Sequence, residues 1–399
     1  MLNRTARVRY IVTACLAAMV LLHAVFFWHA RHLIAQRYAD FTAFYAAGLM
    51  VREGMGHEIY DLPLQAQVER EQIGRSAEIA ALPFLRPAYE ALAFLPLSFL
   101  PYLGAFTLWN VLSVIFLCLW VWLARGRLPA LQEFSPALWL LALVAFFPVF
   151  INLPMGQDSI AFLLLVTLAF FKLRNREEFL AGVWLGFAAF KPQIVLPLVL
   201  ILMFRPQRGR LLSGFLAAAI ATVLISVAVS GWYSVLHYPI YLLNVNRELG
   251  SGTITPLDMP NLRGLTAWLG IDGLGAGTAS LLIVAVAGIT NLRKQIDFDS
   301  AFSISIAAAL LAGYHTHIYD LALLVLPIAL RLNFLLEEGE FRQYAPELGL
   351  LGLLVLSPLY LLLIRHQTAN LLALPLLLFI LLIAFSPRPS AAATSIAAL

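Results

Sequence analysis

The sequence predicts an all-α polytopic membrane protein, one integral membrane domain over residues 1–399 with about twelve transmembrane helices. Three observations predict it. Hydrophobic residues make up 61% of the chain and charged residues 12%, against about 45–50% and about 25% in soluble domains. Mean hydropathy is +0.86. The apolar residues also fall in blocks of roughly 15–20, separated by short charged clusters, as in helices that cross a bilayer. This balance excludes an ordinary soluble enzyme, a disordered chain and a polar nucleic-acid binder. The net charge of +4 calls for no nucleic-acid partner, because Lys and Arg stand at the ends of apolar blocks, where they set orientation in the lipid bilayer. Cys15 and Cys118 each lie inside an apolar block, so the fold is not a disulfide scaffold.

The first block runs from Tyr10 to Trp28 behind Arg4, Arg7 and Arg9. A secretory signal has an apolar core of about 7–15 residues and then a small-residue cleavage site. Here the run is longer and ends in Phe26, Phe27 and Trp28, which predicts a permanent span. Further blocks follow at 103–124, 136–150, 157–171, 178–190, 192–204, 211–230, 274–291, 299–314, 316–330, 347–364 and 369–385. Several fall short of the ~20 residues that cross a bilayer unaided, so they are extended at their ends or are broken helices buried in protein. The apolar stretch 89–100 is shorter still and reads as a half-helix packed on the outer side. The Ala-rich tail after Pro389 reads as a disordered end.

Charge fixes the orientation. With the N-terminus in the cytoplasm, the inner loops hold 16 of the 26 basic residues and the outer side ten, six of them in one long loop. Long loops count weakly, so the bias is mainly 16 against 4, and both termini are expected in the cytoplasm. Two outer segments exceed mere connectors: a first loop over 31–86 and a second over 231–272. Long irregular segments are usually functional, which puts the expected chemistry on the extracytoplasmic face.

The first outer loop carries Asp40 directly before Phe41, Phe44, Tyr45, Gly48 and Leu49, an apolar stripe at helical spacing that predicts a helix lying in the membrane interface. Asp40 reads two ways, as an N-cap or as a carboxylate whose basicity is raised at the water–lipid boundary for general-base work. Tyr60 and Asp61 follow, and then Arg86 between two prolines, either a snorkelling arginine or a phosphate contact. Polar residues near outer span ends are candidates by default. They are Gln157 and Asp158 after Gly156, Lys191 and Gln193 around Pro192, Asn261 and Arg263 before Gly264, and His315, His317, Tyr319 and Asp320 in one turn. Lys191 stands on the outer side against the charge bias, so a bound anion competes with a snorkelling lysine. His315, His317 and Asp320 as zinc ligands find no support from any other His or Cys pattern. Hydrogen bonding or charge donation to a phosphate is the better functional reading. No metal and no cofactor are expected, and the chain has no Walker loop, nucleophile elbow or HExxH.

Taken in order, Asp40-Phe41-x-x-Phe44-Tyr45-x-Ala47-Gly48, Tyr60-Asp61, Gly156-Gln157, Lys191-Pro192-Gln193, Asn261-Leu262-Arg263-Gly264 and His317-x-x-Tyr-Asp320 resemble glycosyltransferase family 87, polytopic enzymes of the GT-C class. The likeness runs from about Tyr38 to Pro327. It implies a GT-C-like fold with an outer-face interfacial helix region, and transfer of a hexose from a polyprenyl-phosphate sugar donor to a lipid or glycan acceptor outside the cytoplasm. The best-known members are mannosyltransferases of the cell envelope. Asp40 would be the catalytic carboxylate. Lys191, Arg86, Arg263, His315 and His317 would meet the donor phosphate. Tyr45, Tyr60, Asp61, Gln157, Asp158, Gln193, Asn261, Tyr319 and Asp320 would line the substrate pocket. The stretch Met259–Gly264 departs from an expected Asn-Gln-Ser-Leu-type sequence. A lipid phosphate leaves as an anion and needs donors rather than a general acid, whereas the acceptor hydroxyl needs a base. One base with direct attack means inversion; retention would need a second carboxylate, for which Asp61 and Asp158 are available. The competing class is a transporter or lipid flippase. It would show paired halves with matching broken helices, which the sequence does not display.

Overall fold

The structure is a computed structural model that describes residues 4–76, 80–205, 208–248, 255–293, 295–339 and 341–385. Lys294, Arg388 and the Ala-rich tail lie outside the described residues. Among the described residues there is no strand. The helices are α1 (Arg4–Ala35), α2 (Phe41–Arg52), α3 (Leu62–Glu71), α4 (Ala91–Phe94), α5 (Tyr102–Arg125), α6 (Pro136–Ala145), α7 (Phe147–Met155), α8 (Ser159–Arg174), α9 (Glu178–Phe187), α10 (Pro192–Leu202), α11 (Arg208–Glu248), α12 (Leu262–Trp268), α13 (Gly273–Thr290), α14 (Phe298–Ala312), α15 (Val325–Glu338), α16 (Ala345–Val355), α17 (Ser357–Arg365) and α18 (Ala373–Ala384), joined by turns and short 3-10 segments.

Each predicted apolar block falls on helix, but twelve full spans do not. Among the described residues five helices are long and apolar enough to cross a bilayer: Tyr10–Ala35, Tyr102–Arg125, Arg208–Val245, Gly273–Thr290 and Ile318–Glu338. Two bent pairs raise the number to seven, α6 with α7 at 75° and α16 with α17 at 58°. Proline causes both breaks. Pro148 and Pro358 lie in the first turns of α7 and α17, where a helix can begin but an existing one loses a hydrogen bond and meets a clash with the preceding turn. The blocks at 178–190, 192–204, 299–314 and 369–385 are short apolar helices, and the block at 157–171 is α8, 16 residues long. Of these, α14 is buried along every residue from Ser300 to Leu311, as expected of a short helix sheltered by protein rather than lipid.

The segments predicted as outer loops also differ from expectation. Helix α2 is not a one-faced interfacial helix, because all its residues from Phe41 to Met50 are buried. The first outer segment instead builds its own aromatic core, with Phe44 stacked on Phe94 at 4.9 Å and Phe41 edge-on to Tyr102 and Phe106. Apolar positions on one stripe predicted only the first partner; α4 and the start of α5 cover the rest. Among its described residues, the segment predicted as the second outer loop is largely helix. Gly231 (φ 78°) kinks α11, and the chain continues helically to Glu248.

Helix association in lipid lacks the hydrophobic drive available in water, so close packing of small residues replaces it. That is how α9 meets α11. A Cβ at Gly182 would stand 2.1 Å from the Leu211 carbonyl oxygen, at Gly186 2.5 Å from the Ala218 methyl, and at Gly214 2.0 Å from the Phe179 carbonyl oxygen. Elsewhere, Arg331 is buried and fastens three helices. It donates to Glu347 at 2.5 and 2.9 Å and to the Ser300 hydroxyl at 2.7 Å. Gly182→Leu and Gly214→Leu are expected to destabilise the protein by at least about 1–3 kcal/mol through overpacking, read as a lowered unfolding temperature in detergent. An exposed control such as Gly349→Ala, with open space around it, should leave that temperature unchanged.

Candidate functional site

Most of the predicted polar residues converge on one hydrogen-bond chain. It starts at Asp40, in the tight connection between α1 and α2. Asp40 does not cap α2: its backbone is already helical (φ −59°, ψ −22°) and its side chain makes no capping bond. Its Oδ2 accepts instead from Gln157 Nε2 at 2.6 Å. The other end of the same amide, Oε1, accepts from Arg86 Nη2 at 3.4 Å. Gly156 makes this approach possible. It ends α7 in the left-handed region (φ 62°), and a Cβ there would lie 2.6 Å from the Phe41 Cβ. Only glycine accepts that conformation and that contact without strain. Trp109 pins the turn by donating to the Gly156 carbonyl at 2.9 Å.

Behind Gln157 the chain becomes ionic. Arg86 grips Asp158 with two bonds, Nε to Oδ2 at 2.8 Å and Nη2 to Oδ1 at 3.0 Å. Lys191 reaches Asp158 Oδ1 at 2.6 Å, Asp320 Oδ1 at 2.6 Å and the Ser159 hydroxyl at 2.8 Å. Asp320 Oδ2 then accepts from the His317 backbone N–H at 2.9 Å, capping the turn Ile318–Leu324. His317 Nε2 lies 3.0 Å from His315 Nε2.

Lys191 is therefore not a snorkelling or surface lysine. It has no accessible surface, and its three N–H groups have three partners. Arg86 is likewise buried, and the extended strap that carries it is clamped. Tyr241, Tyr238 and Tyr60 donate in turn to the carbonyls of Phe84, Leu85 and Arg86, at 3.2, 3.0 and 3.0 Å. Asn261 is buried and structural: it donates to the Gly313 carbonyl at 2.6 Å and caps α12 by accepting from Gly264 N–H at 2.9 Å. Tyr45 and Asp61 lie apart from the chain. Tyr45 donates to the Leu100 carbonyl at 2.7 Å inside the outer aromatic core. Asp61 is exposed and caps α3 through the Leu64 N–H at 2.9 Å. The partly exposed residues of the predicted site are Asp40, Tyr60, Gln193, Arg263, His315, His317 and Tyr319. Gln193 donates to the His315 carbonyl at 3.3 Å, and Arg263 lies 3.9 Å from the Tyr314 ring centroid. Among the described residues no three His, Cys, Asp or Glu side chains form a metal-ligand group.

The electrostatics separate the carboxylates. Burial pushes the Asp40 carboxyl up to about 6, against the Gln157 bond and the nearby charges of Arg86, Lys191 and Arg75. Burial would raise Asp158 too, but Arg86 and Lys191 hold it well below the usual carboxylate range. His315 and His317 are both lowered, first by burial; their mutual proximity and the surrounding cations lower His315 further. They are neutral at physiological pH, hydrogen-bonding groups rather than positive charges.

Sequence reasoning missed Glu90, Glu69 and Arg75. Glu90 carries one signal, its i,i+4 spacing from Arg86, and lies 3.5 Å from the Arg86 Nε. Glu69 and Arg75 form a buried pair at 3.4 Å, and Glu69 accepts the Leu82 N–H at 3.1 Å. No spacing rule anticipates that pair.

The fold and the site define a polytopic helical membrane protein with one accessible carboxylate leading into a buried ionic chain. Residues 84–327 match the family model of glycosyltransferase family 87, which covers most of the chain. The protein belongs to that family and is a membrane glycosyltransferase. Searches of curated proteins and of solved structures returned no match.

Removing the ammonium of Lys191 leaves Asp158 and Asp320 buried without their shared counter-charge. Lys191→Ala is expected to cost about 3–5 kcal/mol of stability, whereas Asp61→Ala, which removes only a cap, should cost about 1 kcal/mol. Thermal unfolding of the two variants in the same detergent checks the order.

Proposed function

We propose that this protein transfers a hexose from a polyprenyl-phosphate donor to a hydroxyl of a lipid or glycan acceptor on the extracytoplasmic face, with inversion and with Asp40 as the general base. The observation that carries the reading is the setting of Asp40. It is the partly exposed end of a chain whose next members are buried, it makes no helix-capping bond, and its carboxyl is raised to about 6. Such a carboxylate is ionised at neutral pH yet basic enough to draw a proton from an attacking hydroxyl.

The leaving polyprenyl phosphate needs donors and positive potential, not an acid. Arg263, His315 and His317 are the accessible donors and are assigned to it. Lys191 and Arg86, fully engaged with Asp158, support the phosphate only through their field and by holding the floor of the site. Gln193 and Tyr319 are partly exposed beside the histidine pair and are assigned to the sugar. The other carboxylates that could serve a double displacement are occupied: Asp158 by Arg86 and Lys191, Asp61 by α3. That supports single-step inversion. The isoprenoid tail would stay in the bilayer beside the spans while its headgroup meets this rim. Mannose as the sugar, and cytoplasmic termini with the Asp40 face outside, rest on the family likeness and on the positive-inside bias.

Asp40→Asn should lower transfer by about 10²-fold or more without lowering the unfolding temperature. The rate should rise with pH on the acid side with a midpoint near the raised Asp40 value, about 6, since the base works only when ionised. The Gln157 bond favours the ionised form, so Gln157→Leu should move that acid limb to higher pH. Assays of radiolabelled polyprenyl-phosphate sugar turnover read all three. Wild-type turnover in Asp40→Asn sinks the assignment, and solute flux in proteoliposomes without any glycosidic product would favour a transporter instead.

A further inference from the structure

Glu90 is buried and belongs to no role assigned so far. It sits at the end of the short turn Ala88–Glu90, one helical turn beyond Arg86. Its Oε2 is enclosed and has no hydrogen-bond partner, while the Arg86 Nε is 3.5 Å away and already bonded to Asp158 at 2.8 Å. The groups facing it are Arg86 on its own strap, Asp158 on the turn before α8, Lys191 on the turn before α10, and the phenols of Tyr60, Tyr89 and Tyr238. Two cations, Arg86 and Lys191, already meet two carboxylates, Asp158 and Asp320, at 2.6–3.0 Å. That set is neutral by itself. An ionised Glu90 would be a third carboxylate for two cations, buried, with its Oε2 lacking a hydrogen bond and only the already bonded Arg86 beside it, which low-dielectric surroundings disfavour by several kcal/mol.

We propose that Glu90 is a positioning residue that works as a neutral carboxylic acid, its proton turned to Asp158, so that the Arg86–Asp158–Lys191–Asp320 set stays neutral and Asp40 remains the one uncompensated carboxylate of the site. Burial and the adjacent Asp158 raise Glu90 well above the ordinary glutamate range, in the same direction. The consequence concerns Asp40. A second negative charge in the floor would oppose ionisation of the base; a neutral Glu90 leaves Arg86 and Lys191 free to favour it. This functional half rests on the assignment of Asp40 as base; the protonation of Glu90 does not.

The test uses the full-length protein in detergent or lipid. Infrared spectroscopy at near-neutral pH should show the carbonyl stretch of a buried protonated carboxylic acid in the wild type and its loss in Glu90→Gln. Absence of that band from the wild type overturns the proposal. Glu90→Ala, which leaves Asp158 short of a donor, should lower transfer about tenfold, and Glu90→Gln, which keeps an N–H donor and no charge, should recover most of it with the acid limb of the pH profile unmoved. If Glu90→Gln is as slow as Glu90→Ala, or its acid limb shifts to lower pH, Glu90 acts as an anion and the proposal fails. Should Asp40→Asn turn over normally while the infrared band behaves as expected, the base assignment fails and the protonation of Glu90 stands.

Discussion

An ammonium group with no access to water organises the candidate site of this protein. Lys191 is held between Asp158 and Asp320 at 2.6 Å each, and each aspartate is bound in turn to something else. Asp158 holds Arg86, and Asp320 holds the backbone of the histidine turn. Four segments far apart in sequence, the strap at 84–87, the turn at 156–158, the junction at 191 and the turn at 315–320, therefore share one set of charges. Separating any one of them leaves a buried ion unpaired, at a cost of several kcal/mol, larger than most single packing contacts. The floor of the site is fixed by that arithmetic and not by the regularity of the helices that deliver it.

Packing around α2 reinforces the same floor. The outer segment has an aromatic core of its own around Phe41, Phe44, Phe94 and Trp109, so α2 is held from all directions and Asp40 leaves it at a defined angle. Three tyrosine hydroxyls on two different elements satisfy three consecutive carbonyls of the strap that carries Arg86. A proline-flanked extended strap has no internal partners for those carbonyls, and buried carbonyls without partners are costly. The clamp therefore supplies what the strap lacks and immobilises the guanidinium at its end.

Much of this was legible from residue types alone, for a physical reason. Charges and amides are rare in apolar blocks, so Gln157, Asp158, Lys191 and Asp320 stood out, and polar groups that must be satisfied in a dry interior find one another. Their order of connection was not legible. Lys191 offers a bound anion or a snorkelling lysine, and the structure gives it two aspartates, because charge pairing across 33 and 129 residues leaves no local periodicity. Among the described residues five to seven spans meet the length and hydropathy expected of a crossing, because blocks such as 178–190, 192–204 and 299–314 form helices shorter than a bilayer needs, while Pro148 and Pro358 each turn one apolar block into two bent helices. Asp40 looked like a cap because Asp before an apolar helix usually is one; only Gly156, through its left-handed turn against Phe41, shows why the carboxylate is drawn to Gln157 instead. Asp61, which reads equally well as a site residue, is the true cap.

The separation of neighbouring carboxyl groups gives the site its direction. Asp158 and Asp40 are joined through one glutamine and one arginine, yet the first is held ionised by two cations while the second is raised to about 6 by burial. Environments that push two such groups apart assign different tasks to each: Asp158 is a permanent counter-ion, and Asp40 is the group whose protonation can change near neutral pH. The histidines complete the asymmetry. Being neutral, they offer N–H groups without adding positive charge that would hold Asp40 fully ionised and weaken it as a base. Under the proposed transfer, the proton is accepted at Asp40, and the donors for a departing phosphate lie at Arg263 and the histidine pair. Between the two ends runs a chain of hydrogen bonds and ion pairs that is already satisfied and has no need to rearrange as charge develops, which is the condition for electrostatic preorganisation.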